Sequence, residues 1–188
     1  IVVSDPHYAR DYLNSFDTLI KGLKLEFQDS NIRIAMHGND QTIVKYAIEN
    51  NIEYQNIYDD RHKGLEIYDN ADLHVGYRVH AHVSTLKRRK YSYLLEQDGR
   101  GCDYGLTIER RISIPNFRKS ASSFIVKVIF ELMKRINFPI TKVSSSPAEA
   151  LIAMIKNDRK DGFSKFLNLE LQIEKFSNDL VDELKKLP

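Results

Sequence analysis

Two hydrophobic periods alternate along the first two thirds of the chain. Ile1 to Ser4, "IVVS", is a β-branched run that reads as a buried strand. From Tyr8 to Phe27 the period changes, and Tyr12, Phe16, Leu19, Ile20 and Leu23 fall at helical spacing. "IRIAMH", Ile32 to His37, is the next strand, and "TIVKYAIEN", Thr42 to Asn50, the next helix. A weak strand is expected around Ile57 in "YQNIYD", then a short helix in "GLEIYDNA" and a strand in "DLHVG". "AHVSTLKRR" continues as helix, "YSYLLEQ" as strand, and "RISI", Arg111 to Ile114, as a further strand. Such alternation predicts right-handed crossovers and a mainly parallel sheet with helices on both faces. The fold class expected is Rossmann-like α/β.

From Ser120 the pattern is helical throughout, with "SFIVKVIFELMKRI", "SPAEALIAMIKN" and a final segment from Phe163 to Leu187. Ser146 and Pro147 mark a helix start, since proline suits the first helical position. Phe166, Leu169, Ile173, Phe176, Leu180 and Leu184 form one apolar stripe, read as a helix folding back on the body. The division expected is an α/β domain over 1–118 and a helical extension over 119–188 packed on the same body.

Composition narrows the partners. The chain's 28 basic and 26 acidic residues nearly cancel, which removes any global electrostatic case for nucleic acid. No apolar run approaches a membrane span of ~20 residues. One cysteine, Cys102, excludes an intrachain disulfide framework and suits a reducing, cytoplasmic setting. Because "IVVSD" opens on a strand with no initiator Met, the chain reads as the later part of a longer protein whose amino-terminal half lies upstream.

In open parallel sheets ligands bind beyond the carboxyl ends of the strands. The distinctive polar clusters fall at those ends: "SDPH" after the first strand, "HGND" after the second, "GYRVH" after "DLHV" and "EQDGRG" after "YSYLL". They bring Asp5, His7, His37, Asp40, Arg78, His80, Asp98 and Arg100 to one rim. "GYRVH" is the sharpest of them. Gly76 allows the turn from strand to helix, the helix start offers N–H groups, and Arg78 adds a planar fork suited to carboxylate or phosphate. His80 adds a proton donor or acceptor of the type that titrates near neutral pH. The competing reading pairs Arg78 with a structural carboxylate such as Asp72 and leaves His80 to cap or pack.

"DLHVGYRVHAHVSTLKRRKYSYLLEQDGRG" resembles the signature region of the polysaccharide pyruvyl transferase family, a strand leading to G-x-R-x-H, a helix, a strand and an acid-x-Arg loop. "HGND" resembles that family's loop after an earlier strand, and the resemblance spans roughly Ile1 to Ile114. It implies the carboxyl-terminal half of a glycosyltransferase-B-like enzyme that moves a pyruvyl group from phosphoenolpyruvate onto two hydroxyls of a saccharide acceptor. No cofactor and no metal is expected. By the motif match Arg78 would grip the donor anion, with Gly76 beside it, and His80 would contact the donor or move the proton. Arg100 would be a second donor contact oriented by Asp98, while His7, His37 and Asp40 complete the rim. Relatives carry a glycine and a proline where this chain has "KRRKYSY"; the Lys87 to Lys90 run reads as a solvated helix end favoured by the helix dipole, the other reading being a different acceptor or a neighbouring partner.

Other chemistries fit less well. "GRGCDYG" lacks the spacing of the dinucleotide fingerprint. His80 and His82, two apart, point to opposite sides of a helix and share a metal only if extended. Two alternatives stay open: the donor half of a nucleotide-sugar glycosyltransferase, and a non-enzymatic glycan- or protein-binding module.

Overall fold

Strand β1 (Val2–Ser4) lies at the centre of the sheet, and everything downstream is laid out around it. The computed structural model describes residues 1–59, 63–108, 111–117 and 143–186, without the side chains of 170, 173, 176, 180 and 183. The segment "SFIVKVIFELMKRI", expected as helix, lies outside the described residues.

Helix α1 (Ala9–Glu26) returns the chain to β2 (Arg33–Met36), and α2 (Gln41–Glu49) returns it to β3 (Glu53–Asn56). A short 3-10 helix (Gly64–Tyr68) then leads to β4 (Leu73–Gly76) on the other side of β1. Helix α3 (Val79–Lys87), β5 (Tyr91–Glu96), α4 (Gly99–Thr107) and β6 (Ser113–Pro115) complete the sheet. All five pairings are parallel, in the order β3-β2-β1-β4-β5-β6. That is the doubly wound Rossmann-like order, whose direction of winding reverses between β1 and β4. Helices α5 (Ser146–Lys160) and α6 (Ser164–Leu184) follow.

The two faces of the sheet differ in chemistry. Val3, Ile34, Met36, Val75, Tyr93 and Leu95 face α1, α2 and α5 and join the main apolar core. On that side Phe16, Leu19, Ile20 and Leu23 of α1 are fully buried, each contributing about 1.5–3 kcal/mol as an upper bound. The opposite face has a smaller apolar cluster built on Val2, Ala35, Ile67, Tyr68 and Ala81. Around it Ser4, His74, His82, Ser92, Glu96 and Ser113 are all buried. A polar layer on one face of a parallel sheet needs complete hydrogen bonding to be tolerated.

Several expectations shift. The third strand occupies Glu53–Asn56, and Ile57, which was expected at its centre, begins the turn beyond it. Helix α3 starts at Val79 rather than Ala81, so Arg78 becomes its N-cap and His80 sits in its first turn. Helix α4 was not expected at all, because glycines at 99, 101 and 105 argue against helix. Packing overrides that propensity: a Cβ on Gly105 would stand 2.8 Å from both Glu96 Cδ and Ser113 Oγ. At the far end, Phe163 stacks on Tyr91 at 4.2 Å between ring centroids, and Phe166 meets both Tyr91 and Tyr93 edge-on. Thus Phe166 and Leu169 of the expected stripe pack on the body, whereas Leu184 is exposed; the side chains of Ile173, Phe176 and Leu180 lie outside the described residues. No helix among the described residues is long and apolar enough to cross a membrane.

Candidate functional site

Parallel pairing sets Ser4, Met36, Gly76 and Glu96 at the same edge of the sheet, so the loops after β1, β2, β4 and β5 converge. Gly76 lies in register with Ser4, and a Cβ there would come within 2.6 Å of Ser4 O and 2.7 Å of Ser4 N. The glycine is therefore required by the close approach of β4 to β1, more than by the turn itself.

Asp5 is the hub of this edge. It is wholly buried, and its Oδ1 accepts from the backbone N–H of His37 at 2.9 Å and from Arg78 Nε at 3.1 Å. Arg78 Nη2 donates to Oδ2 at 2.8 Å, and Nε also reaches Asp5 O at 2.9 Å. Arg78, whose side chain is 12% exposed, thus closes its fork on the chain's own carboxylate. Its partner is Asp5, not the Asp72 weighed from the sequence. Burial pushes the Asp5 carboxyl up, against the pull of the Arg78 hydrogen bonds. Nη1 of Arg78 makes no hydrogen bond to the described residues.

The loop after β5 is tied to the loop after β1. The Gln97 side chain accepts from His7 N at 2.9 Å and donates to His7 O at 3.1 Å. This double clasp fixes His7 against the start of α4; Gln97 was not singled out from the sequence, where a single amide carries no signal. Burial lowers the His7 imidazole below its ordinary value, with the Arg78 charge acting the same way.

Two expected site residues turn out to be helix caps. Asp40 accepts from Thr42 N at 2.9 Å at the start of α2. Asp98 caps α4 through Gly101 N at 3.0 Å and holds Arg100 Nη2 at 2.7 Å. Partial burial pulls Asp98 up, yet the bonds from Arg100 and the Gly101 N–H win and hold its carboxyl below the ordinary range. Helix α3, by contrast, has no side-chain cap and no acidic residue in its first turn. His80 stands exposed there, while His82, two residues on, is fully buried. Among the described residues no group of three His, Cys, Asp or Glu is placed to hold a metal ion, and Cys102 sits half-buried on α4.

Beneath the edge runs a directional chain of hydrogen bonds. Ser4 Oγ accepts from the N–H groups of Tyr77 and Arg78 at 3.1 and 3.2 Å, so its own proton goes to His74 Nε2 at 2.9 Å. His74 then carries its proton on Nδ1, which reaches Ser92 Oγ at 2.7 Å. Ser92 in turn donates to His82 Nδ1 at 2.7 Å. The opposite polarity would strand the Ser4 proton as well as a His82 nitrogen. The polarity given leaves only His82 Nε2–H without a hydrogen bond, its ring meeting Tyr104 edge-on at 5.3 Å. Burial drives both imidazoles well below their ordinary titration, His82 to about 3. Sequence patterning marked His82 only as the partner of His80; the signal that could have found this layer is the polar residue that recurs on the same face of β1, β4 and β5, namely Ser4, His74 and Ser92.

Beside this chain His37 Nε2 lies 2.7 Å from the buried Tyr68 hydroxyl. Burial, and then the charges of Arg78, His80 and His7, lower the His37 imidazole to about 3. Of the sequence-derived candidates, His7, His37, Gly76, Arg78 and His80 therefore belong to one edge around Asp5. Asp98 and Arg100 flank it, and Asp40 faces its own helix. A groove of about 920 Å³ lies at the other end of the sheet, lined by Lys24, Arg33, Asn51 and Tyr54 among others. Its Arg33 is spent on Glu53, and it gathers no catalytic type of cluster.

The fold and this edge define an α/β protein with a Rossmann-like parallel sheet and a polar site at its winding reversal. Comparison with family models, with curated proteins and with solved structures returns no match.

Proposed function

We propose that this chain is the donor-binding half of a polysaccharide pyruvyl transferase, one lobe of a glycosyltransferase-B-like pair. It would move a pyruvyl group from phosphoenolpyruvate to two sugar hydroxyls during cell-surface polysaccharide synthesis in the cytoplasm. The observation that carries this reading is the placement of G-Y-R-V-H at the winding reversal, with the D-G-R loop on the adjacent strand end.

The donor brings a phosphate and a carboxylate. The uncapped start of α3 supplies free N–H groups, and Nη1 of Arg78 supplies a cationic donor already braced by Asp5. In the reaction the methylene carbon takes a proton, and the first sugar hydroxyl adds to the central carbon and gives up its own proton in exchange. The second hydroxyl then takes the place of phosphate on that carbon: the carbon–oxygen bond to phosphate breaks, and the hydroxyl proton leaves with the released phosphate. Exposed His80 is the group in position to exchange protons with solvent and donor, and Arg100 is the second cation. The acceptor and further catalytic groups come from the other lobe.

Thermal unfolding in the presence of phosphoenolpyruvate, inorganic phosphate and a nucleotide sugar tests the assignment. Phosphoenolpyruvate at a hundred times its Kd should stabilise the chain by about 2.7 kcal/mol, and phosphate at the same concentration by less. Stabilisation by the nucleotide sugar alone would replace this reading with a glycosyltransferase.

A further inference from the structure

Among the described residues the Tyr68 side chain hydrogen-bonds only with His37, and that fact determines where the His37 proton is. The Tyr68 side chain is fully buried at the end of the 3-10 helix, with its ring edge-on to His74 at 5.6 Å. Among the described residues its hydroxyl proton meets one hydrogen-bond partner, His37 Nε2 at 2.7 Å. A phenol buried in this way keeps its proton, and burial together with the Asp5 charge pushes its titration above the ordinary range. Tyr68 must therefore donate, and Nε2 of His37 must accept. If Nε2–H donated instead, a buried hydroxyl proton would be left with no partner, which costs about 1–3 kcal/mol.

We infer that Tyr68 holds His37 as a neutral imidazole with its proton on Nδ1, making His37 a hydrogen-bond donor to a carboxylate or phosphate oxygen bound at the strand edge. The inference rests on reading this edge as an anion site. The backbone N–H of His37 is fixed on Asp5, the carboxylate that also braces Arg78, so ring and guanidinium are held by the same group. Nδ1 makes no hydrogen bond to the described residues, and the ring is only partly buried. The charges of Arg78, His80 and His7 all act on it, which places it within their cluster. A neutral donor adds a hydrogen bond to an anion without adding a second cation beside Arg78. Tyr68 is the positioning residue, and His37 is the group that meets the ligand.

The test is nitrogen-15 NMR of the histidine side chains, with inorganic phosphate and phosphoenolpyruvate as probes. In the wild-type chain near neutral pH, His37 should show protonated Nδ1 and bare Nε2, and either probe should shift the Nδ1 signal. Tyr68→Phe should release the tautomer toward Nε2–H, the form favoured in water, and weaken probe affinity by about three- to tenfold. Should that variant fold poorly, His37→Asn and His37→Gln serve in its place. Asparagine offers its amide donor near the Nδ1 position and glutamine near Nε2, so the asparagine variant should bind the probes more tightly. Wild-type His37 protonated on Nε2, or a glutamine variant that outbinds asparagine, would overturn the inference. Phosphoenolpyruvate that binds without moving Nδ1 would also overturn it while leaving the pyruvyl-donor reading intact. If both probes move Nδ1 but phosphoenolpyruvate binds no better than phosphate, the His37 assignment stands and the pyruvyl-donor reading falls.

Discussion

Arg78 closes its guanidinium on Asp5, Nε to Oδ1 at 3.1 Å and Nη2 to Oδ2 at 2.8 Å, joining the loop after β4 to the end of β1. The cation that the sequence places behind a buried strand is thus a strut of the fold. Removing one member of such a pair strands the other in a buried site, which costs about 3–5 kcal/mol. Arg78→Ala should lower stability by that order in urea unfolding. Arg78→Met combined with Asp5→Asn should recover part of the loss, since no buried charge remains. An Arg78→Ala chain as stable as wild type would mean that the pair is loose in solution. For the proposed reaction, activity lost in Arg78→Ala must be read only after stability is matched.

The chain from Ser4 to His82 predicts a second, separable effect. Ser92→Ala removes the hydroxyl that takes the His74 proton and satisfies His82 Nδ1, leaving two buried groups unmet. At about 1–3 kcal/mol for each unsatisfied group, the variant should lose several kcal/mol, far more than a buried Ser→Ala change at a satisfied apolar site. Ser92→Cys, which keeps a weak donor and acceptor, should fall between. Equal stabilities for the three chains would show that the imidazoles find other partners.

What patterning could and could not reach follows from these residues. Strand and helix periods are set by burial, so β1, α1, β2, β4 and β5 were legible, and with them the edge that gathers His7, His37, Arg78 and His80. Pair assignments were not. Asp5 and Arg78 are 73 residues apart, and nothing local distinguishes Asp5 from Asp72 as the partner. Helix α4 was hidden for a different reason: two of its glycines, Gly101 and Gly105, stand against Glu96, so tertiary packing overrode local propensity. Tyr68 gave no signal because its role consists of one buried hydrogen bond.

Acid should act through the buried histidines. His74 and His82 are held below their ordinary value of about 6.5. The unfolded chain therefore binds protons between pH ~6.5 and the folded values, while the folded chain does not. Stability from these groups is present above about pH 6.5 and is lost as pH falls, for His82, lowered to about 3, by roughly 2 kcal/mol at pH 5. Asp5, raised by burial, acts in the opposite sense over its own window. Comparing urea midpoints of wild type and His82→Asn across this range isolates one histidine. The wild type should show the steeper fall; parallel curves would refute the assignment.

Gly105 and Gly99 provide a contrast within one helix. A Cβ on Gly105 would collide with Glu96 and Ser113, whereas one on Gly99 meets nothing within 4 Å. Gly105→Ala should cost about 1–3 kcal/mol through overpacking, despite alanine's better helix propensity. Gly99→Ala should be neutral or slightly stabilising. A thermal melt of each variant decides it, and a stabilised Gly105→Ala would place α4 farther from β5 than described.

The last helix is anchored at its beginning. Phe163 and Phe166 pack on Tyr91 and Tyr93, Tyr93 Oη donates to Asp158 Oδ2 at 2.8 Å, and Lys165 Nζ reaches Asp158 Oδ1 at 2.8 Å. Farther along, Leu167 and Leu171 are exposed at 76% and 65%. The cost of truncating an apolar side chain here should therefore depend on the face it occupies and not on its hydrophobicity. Phe166→Ala removes aromatic contacts from a partly buried cluster and should cost about 2–4 kcal/mol, below the 3–5 typical of a fully enclosed phenylalanine. Leu171→Ala should stay within about 0.5 kcal/mol of wild type. Chemical denaturation of the two variants, side by side, checks the ordering. A larger loss in Leu171→Ala would show that the exposed face is covered in solution and that the helix docks by both sides.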